Sequence, residues 1–202
     1  MAERNYRLIN CDNGPNFCGS GDLALLSWLA TGTRGTGDEV VLRSANKIEL
    51  LRLLGQPHTE DYLLRPIGLS PHQIWHEEKK CKGSVPRYQQ AMKLLGIKSQ
   101  PKRPTLPVTP EAVEFAKEFW GSMDEKVLFC PESKDRSRQW PHWSGLQEMI
   151  AGVSLTQKAC NNRWENAIEI IRMADVVVAV DSAYAHLAVT LAKPTVIILG
   201  TT

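Results

Sequence analysis

Little imbalance of charge, few aromatic residues and no long apolar run mark this sequence, and each shortage excludes a class of protein. Its 202 residues carry 24 Lys+Arg against 22 Asp+Glu, a net charge of +2. That balance offers no long basic stripe for a nucleic-acid backbone. Aromatic residues make up 7% and do not interleave with the cations as base-stacking platforms do. No nucleic-acid partner is expected. The most apolar stretch, residues 176–199, is broken by Asp181, His186, Lys193 and Pro194, which excludes a membrane-spanning helix. Residues 1–5 lack the apolar core of a secretory leader. A cytoplasmic chain without a transmembrane segment is the expectation.

Cysteine chemistry is sparse as well. Cys11, Cys18, Cys81, Cys130 and Cys160 include no C-x-x-C pair, so neither a disulfide framework nor a zinc knuckle is indicated, and a reducing compartment fits. His72 and His76 stand at i, i+4, but Gln73 occupies the place where a metalloprotease helix needs Glu. No metal site is expected. The chain also lacks a G-x-x-x-x-G-K-[ST] loop and a G-x-S-x-G elbow, which leaves a P-loop NTPase and an α/β-hydrolase without support. A dinucleotide oxidoreductase is disfavoured because no G-x-G-x-x-G follows any predicted strand.

What is present is a hydrophobic fraction of 43%, enough to build a core. The first half reads strand (6–11), helix opening at Asp22, strand (39–43), then a helix over 45–54 stopped by Gly55 and Pro57. Prolines and scattered charges obscure residues 56–110, apart from helical spacing over 86–95. Thr109-Pro110 then starts a helix that runs to Trp120, Thr being the cap and Pro fitting the first turn. The boundary is expected just past it, giving domains 1–123 and 124–202. The second half predicts strands at 126–130, 153–157, 174–180 and 195–199, with helices at 162–173 and 183–192. The β-branched run 176–180 has the composition of a buried parallel strand. Such a pattern is α/β, with mainly parallel sheets in two Rossmann-like domains.

Ligands of open α/β sheets bind outside the carboxyl ends of the strands. Three loops are expected there: residues 19–22, 131–141 and 181–186. Asp181-Ser182 joins a strand to a helix start, where backbone N–H groups and the helix dipole favour an anion. Ser182 adds a hydroxyl, and His186 an imidazole one turn on. The plainer alternative makes Asp181 a helix cap and His186 a satisfied core residue. The loop Pro131-Glu132-Ser133-Lys134-Asp135-Arg136-Ser137-Arg138-Gln139-Trp140-Pro141 places three cations after a strand, beside an aromatic able to pack beneath them. It suits a diphosphate clamp, or else a solvated turn of mixed charge. Asp22 is either a helix cap or a general base facing a cleft.

The segment Asp181-Ser182-x-x-x-His186-Leu187-Ala188, with Ala192-Lys193-Pro194-Thr195-Val196 and Leu199-Gly200-Thr201 after it, resembles the signature of glycosyltransferase family 9, the ADP-heptose:lipopolysaccharide heptosyltransferases. Gly21-Asp22 resembles that family's Gly-Asp, and Arg138-Gln139-Trp140-Pro141 its Lys-x-Trp-Pro loop. Ala183 stands where the family has Gly, and Glu132 where a Gly follows Pro. The resemblance implies a GT-B fold with an N-terminal acceptor domain and a C-terminal nucleotide-sugar domain. That second domain is expected to be incomplete, since residues 142–173 are short for the family and the chain stops at Thr202. It also implies that Asp22 deprotonates the acceptor. Ser133, Arg138, Asp181, Ser182, Ala183 and His186 would hold the diphosphate of a nucleotide-sugar, without a cofactor or metal. The acceptor would be a glycan or lipid-linked hydroxyl, at a membrane surface in the latter case. The rival expectation is an inactive nucleotide-binding or interaction module with the same fold.

Overall fold

The computed structural model describes residues 5–10, 20–36, 38–44, 47–56, 87–133 and 135–199. For residues 5–10, 20–22, 38, 43, 87, 88, 90 and 91 the description is of the backbone alone. His72 and His76, Cys11, Cys18, Cys81, Lys134 and Gly200-Thr201 lie outside it. The chain divides into two compact units, residues 1–105 and 106–202.

In the first unit, β1 (Asn5–Asn10) and β2 (Asp38–Arg43) pair in parallel, from Asn5↔Asp38 to Asn10↔Arg43. Between them runs α1 (Ser20–Thr33), apolar nearly all round. Leu23, Leu26, Leu29 and Ala30 of α1 are buried, as are Val40, Val41 and Leu42 of β2. Full burial of each large aliphatic side chain contributes about 1.5–3 kcal/mol. Thr33 closes the helix onto the sheet. Its hydroxyl donates to the Leu29 carbonyl at 3.1 Å and accepts from the Val40 N–H at 2.9 Å. The helix α2 (Ile48–Leu53) is shorter than its apolar pattern suggested, and Gly55, at φ +64, takes the left-handed turn that ends it. Next among the described elements is α3 (Arg87–Leu95), which packs on α1.

The second unit opens with α4 (Pro110–Trp120), capped by the Thr109 hydroxyl, which accepts from the Ala112 N–H at 3.3 Å. The boundary therefore falls at 105/106 and not at the expected 123/124. The reason is packing: α4 lies against α6 (Trp164–Met173), and the Trp120 indole donates to the Ile170 carbonyl at 3.1 Å. An amphipathic helix belongs with the face that covers its apolar side, whatever the composition of the linker after it.

Four parallel strands form the sheet of this unit: β3 (Val127–Cys130), β4 (Val153–Ser154), β5 (Val176–Val180) and β6 (Thr195–Ile198), in the order β4-β3-β5-β6. The helix α5 (Trp143–Met149) precedes β4, and α7 (Ala183–Thr190) links β5 to β6. Expected strand 153–157 contracts to two residues, because Leu155 gives its last ladder bond to Phe129 O at 2.7 Å and the chain then turns. Expected helix 162–173 starts at Trp164, since Asn161 and Asn162 adopt φ of 55 and 56. Asn tolerates that left-handed region better than most residues. Leu128, Phe129, Val177, Ala179 and Val180 are buried, with Ile168, Ile170 and Ile171 of α6 and Leu187 of α7.

From β3 the chain moves outward to β4 and then crosses back to β5 on the other side. The carboxyl ends of β3 and β5 are therefore the switch point of the sheet, where adjacent loops part and leave a crevice.

Candidate functional site at the switch point

Both loops expected to hold an anion leave the sheet at this crevice. After β3, residues 131–142 contain one 3₁₀ turn, Arg136–Arg138. Asp135 shapes it by accepting from the Ser137 N–H at 2.9 Å and from the Ser137 hydroxyl at 2.8 Å. These donors, the hydroxyl first, hold the Asp135 carboxyl below its ordinary range. Ser133 accepts from the Asp135 N–H at 3.3 Å, and its carbonyl takes the Gln139 amide at the same distance. The loop is thus ordered by its own polar groups, more than the solvated alternative required. Glu132 faces the turn after β4, where its carboxylate accepts from the Gln157 N–H at 2.8 Å.

Arg138 points across the crevice. Its Nη1 lies 3.2 Å from Asp181 Oδ2 and 3.5 Å from the Asp181 carbonyl, and its Nε lies 3.6 Å from Asp135. His186 Nε2 approaches the other Asp181 oxygen at 3.3 Å. One carboxylate therefore bridges the two side chains expected to meet a diphosphate. Asp181 is not the cap of α7; that position belongs to Ser182, whose extended backbone leads into the helix without a side-chain cap bond. His186 is not a core histidine either, being partly exposed and turned to Asp181. The Ser182 hydroxyl oxygen is buried and has no hydrogen-bond partner among the described residues. Ala183 sits on the first turn of α7, where backbone N–H groups lack helical partners.

Beneath the loop, Trp140 meets Trp143 edge to face at 5.3 Å, and Trp143 meets Phe129 of β3 at 6.1 Å. This aromatic stack is the packing expected of Trp140. The backbone of Asp22 lies in α1, which begins two residues before it at Ser20; its side chain is outside the described ones.

Sequence reasoning missed a cavity of about 60 Å³ beside α7, lined by Gln157, Cys160, Asn162, Arg163, Trp164 and Tyr184. Trp164 and Tyr184 form its aromatic side, with ring centroids 6.0 Å apart. The Tyr184 hydroxyl lies 3.8 Å from Cys160 Sγ. Burial, and then the neighbouring Cys160, push the phenol upward in pKa, as burial and then Glu132 do for the Cys130 thiol. The consecutive asparagines 161 and 162 were the one available sign of a turn that opens such a space.

The architecture is that of a Rossmann-like α/β protein of the GT-B kind. Residues 146–202 match the family model described as glycosyltransferase family 9 (heptosyltransferase). Solved structures share the fold. A glycosyl transferase family 9 protein from Veillonella parvula has a TM-score of 0.58 at 10% identity, covering 95% of this chain and 79% of that one. ADP-heptose LPS heptosyltransferase II of E. coli has a TM-score of 0.54 at 13% identity, with 96% and 84% covered. The dodecameric iron-containing heptosyltransferase TibC of enterotoxigenic E. coli, in complex with ADP-D-β-D-heptose, has a TM-score of 0.61 at 13% identity. That match covers 98% of this chain but 58% of TibC, less than two thirds of its length. No curated protein matches. The chain thus resembles family 9 both in its motifs and in its fold.

Proposed function

We propose that the chain is a glycosyltransferase of the heptosyltransferase type, which moves a sugar from a nucleoside diphosphate donor to a hydroxyl of a glycan or lipid-linked acceptor. The observation that carries this reading is the meeting of Arg138, Ser182, Asp181 and His186 at the switch point. TibC has been solved with ADP-D-β-D-heptose and the E. coli heptosyltransferase WaaC with ADP, which makes an ADP-sugar the first donor to test.

The chemistry follows from charge. As the bond from the anomeric carbon to the diphosphate breaks, negative charge grows on the departing oxygen, and fixed donors aimed there lower the barrier. Arg138 supplies a forked cation, Ser182 a buried hydroxyl whose bonding capacity is unused, and the first turn of α7 its N–H groups. Arg replaces the family's Lys at this place with a bidentate grip. Ser133 and Ala183 complete the donor side, the first through the loop and the second through the helix start. On this reading these groups are the ones that meet the growing charge, and the step is written without a metal. Asp22, at the start of α1, takes the proton of the acceptor hydroxyl as that oxygen attacks the face opposite the leaving group, which inverts the anomeric centre.

The second reading is an inactive binding module of the same fold, and the pairing of Arg138 with two carboxylates favours it. One experiment separates the two. The chain is incubated with an ADP-heptose donor and a heptose-accepting lipopolysaccharide core, and ADP release is followed alongside calorimetry with ADP in a chelator. Release above the rate without acceptor is expected. Binding of ADP without release under any acceptor establishes the module, and no binding at all overturns both.

A further inference from the structure

The strand β6 has the composition of an inner strand in an edge position. Thr195-Val196-Ile197-Ile198 is β-branched throughout, like strands of a parallel sheet that are covered on both faces, and no charged residue occurs over 194–202. Yet β6 ends the order β4-β3-β5-β6, and among the described residues nothing pairs with its outer side. Val196 is 54% exposed and Ile197 38%, although neighbouring side chains of a strand face opposite ways, and Leu199 just beyond is 76% exposed. In the adjacent β5, residues 177–180 are all buried.

The opposite edge of this sheet is blunted. There β4 is two residues long, and the hydroxyl of its Ser154 accepts from the Gln147 amide at 2.8 Å. Edges are otherwise protected by a charge or by a proline on the open side, and β6 carries neither. Pro194 does not serve, because its carbonyl accepts from the Val177 N–H at 2.9 Å and so faces β5. Successive residues of a strand turn their backbone groups to alternate sides. Val196 and Ile198 therefore share the side of Pro194, while the N–H and C=O groups of Thr195 and Ile197 point to the open side, with Leu199 next in the same phase.

We propose that β6 is a dimerisation edge, which pairs antiparallel with β6 of a second copy about a two-fold axis at Ile197. This goes beyond the transferase reading and does not depend on it. An antiparallel edge closes where facing residues both turn their groups outward, and an axis at Ile197 meets that condition. Ile197 then exchanges both bonds with Ile197 of the second copy, and Thr195 does so with its Leu199. The side chains agree: Ile197 meets Ile197 and Thr195 meets Leu199 on one face, Val196 meets Ile198 on the other, and no like charges oppose. Lys193 falls beyond the paired span. A two-fold contact uses up both edges, so assembly stops at two, and the blunted β4 offers no second site for growth. The span is short against the roughly 800 Å² per partner of a standard interface, which sets the expected dissociation constant in the micromolar range.

The test is sedimentation of the 202-residue chain from about 1 to 500 μM, where a monomer–dimer equilibrium is expected. Ile197→Lys and Ile197→Glu each set like charges opposite one another at the axis and should raise the dissociation constant by about tenfold or more. Mixed one to one, the two variants should recover that loss by about tenfold, since the axis then joins opposite charges. Leu199→Asp, one residue past β6, should raise the constant by about fivefold or more even if a charge at 197 disturbs the strand. Met149→Asp, on a side chain 82% exposed at the end of α5, should leave it within about twofold. Melting curves check that each variant is folded. A chain monomeric over the whole range, oligomers that grow beyond two, equal weakening by Met149→Asp, a Leu199→Asp protein that dimerises as its parent does, or folded Lys and Glu variants that stay apart when mixed would overturn the proposal. The assay contains no donor and reads no turnover, so a failed transferase test leaves its outcome intact.

Discussion

Arg138 is held by Asp181 from two directions, the carboxylate at 3.2 Å and the backbone carbonyl at 3.5 Å, across 43 residues of sequence. The carboxylate occupies the guanidinium as a phosphate oxygen does, so donor binding exchanges one anion for another. Arg138 is about one third exposed, which keeps the pair weak enough to open. Arg138→Ala is expected to weaken ADP binding by about 10- to 100-fold, the range for losing a charge-assisted bond. Arg138→Lys should fall between, since it keeps charge and loses the fork. Calorimetry decides; equal affinity in all three proteins would place the diphosphate elsewhere.

Ser182 allows binding to be separated from stability. Its hydroxyl oxygen is buried without a partner, so Ser182→Ala removes a group that contributes no bond to the fold. The melting temperature should hold or rise slightly, with a stability change within about 0.5 kcal/mol. ADP binding should weaken by about 10-fold or more, because the donated bond goes to a charged oxygen. A fall in melting temperature without loss of ADP binding contradicts the assignment.

Asp22→Asn preserves shape while removing the proton acceptor. Turnover should drop by about 10²- to 10⁴-fold, the contribution of a positioned base, with ADP affinity unchanged. Single-turnover rates measured beside calorimetry test both halves of the statement. An unchanged rate would remove Asp22 from the chemistry, leaving it an ordinary first-turn residue of α1.

Alkaline pH should unfold the second unit through its buried acids. Tyr184 and Cys130 bind their protons more firmly in the fold than in the unfolded chain, because burial penalises their anions. Stability from such groups is complete below the ordinary thiol and phenol values, about 8.5 and 10, and is lost as pH rises above them. The melting temperature is expected to fall from about pH 9 upward, and Tyr184→Phe should fall less steeply beyond about pH 10. Parallel curves for the two proteins would remove Tyr184 from the account.

Gly152 supports the aromatic stack beneath the loop that follows β3. A Cβ at this position would collide with the Phe129 ring and lie 2.8 Å from the Val127 carbonyl oxygen. Phe129 is fully buried and meets Trp143, which meets Trp140. Gly152→Ala should therefore cost about 1–3 kcal/mol and loosen the loop, read as a lower melting temperature and a changed tryptophan emission. A variant as stable as the parent would show that Phe129 has room to move.

The legible parts of the sequence were those where one local pattern admits one structure. The β-branched run of β5, the Thr109-Pro110 helix start and the glycine after α2 each behave as their chemistry dictates. Ser182 and His186 were also legible as members of a strand-to-helix join. Asp181 was legible as part of the same join, but its bridge between Arg138 and His186 was not, because Arg138 reaches it through the pairing of β3 with β5. The domain boundary was misplaced for a related reason: α4 is amphipathic in either unit, and the choice rests on α6, some fifty residues later. The cavity beside Tyr184 depends on two left-handed asparagines and a ring contact between separate helices. Composition carries no trace of such a meeting.

The order β4-β3-β5-β6 also bears on how the site comes into being. Lys126 and Asp175 meet across 49 residues, and Arg138 and Asp181 across 43. Closing such spans is slower than forming the helices between them. While α5 and α6 are already wound and β5 has yet to dock, Arg138 has only its neighbour Asp135 as counter-anion and Ser182 no crevice to face. During refolding, helical circular dichroism should therefore recover before ADP affinity does, and nucleotide added early can speed the last step only by capturing chains in which β3 and β5 have already joined.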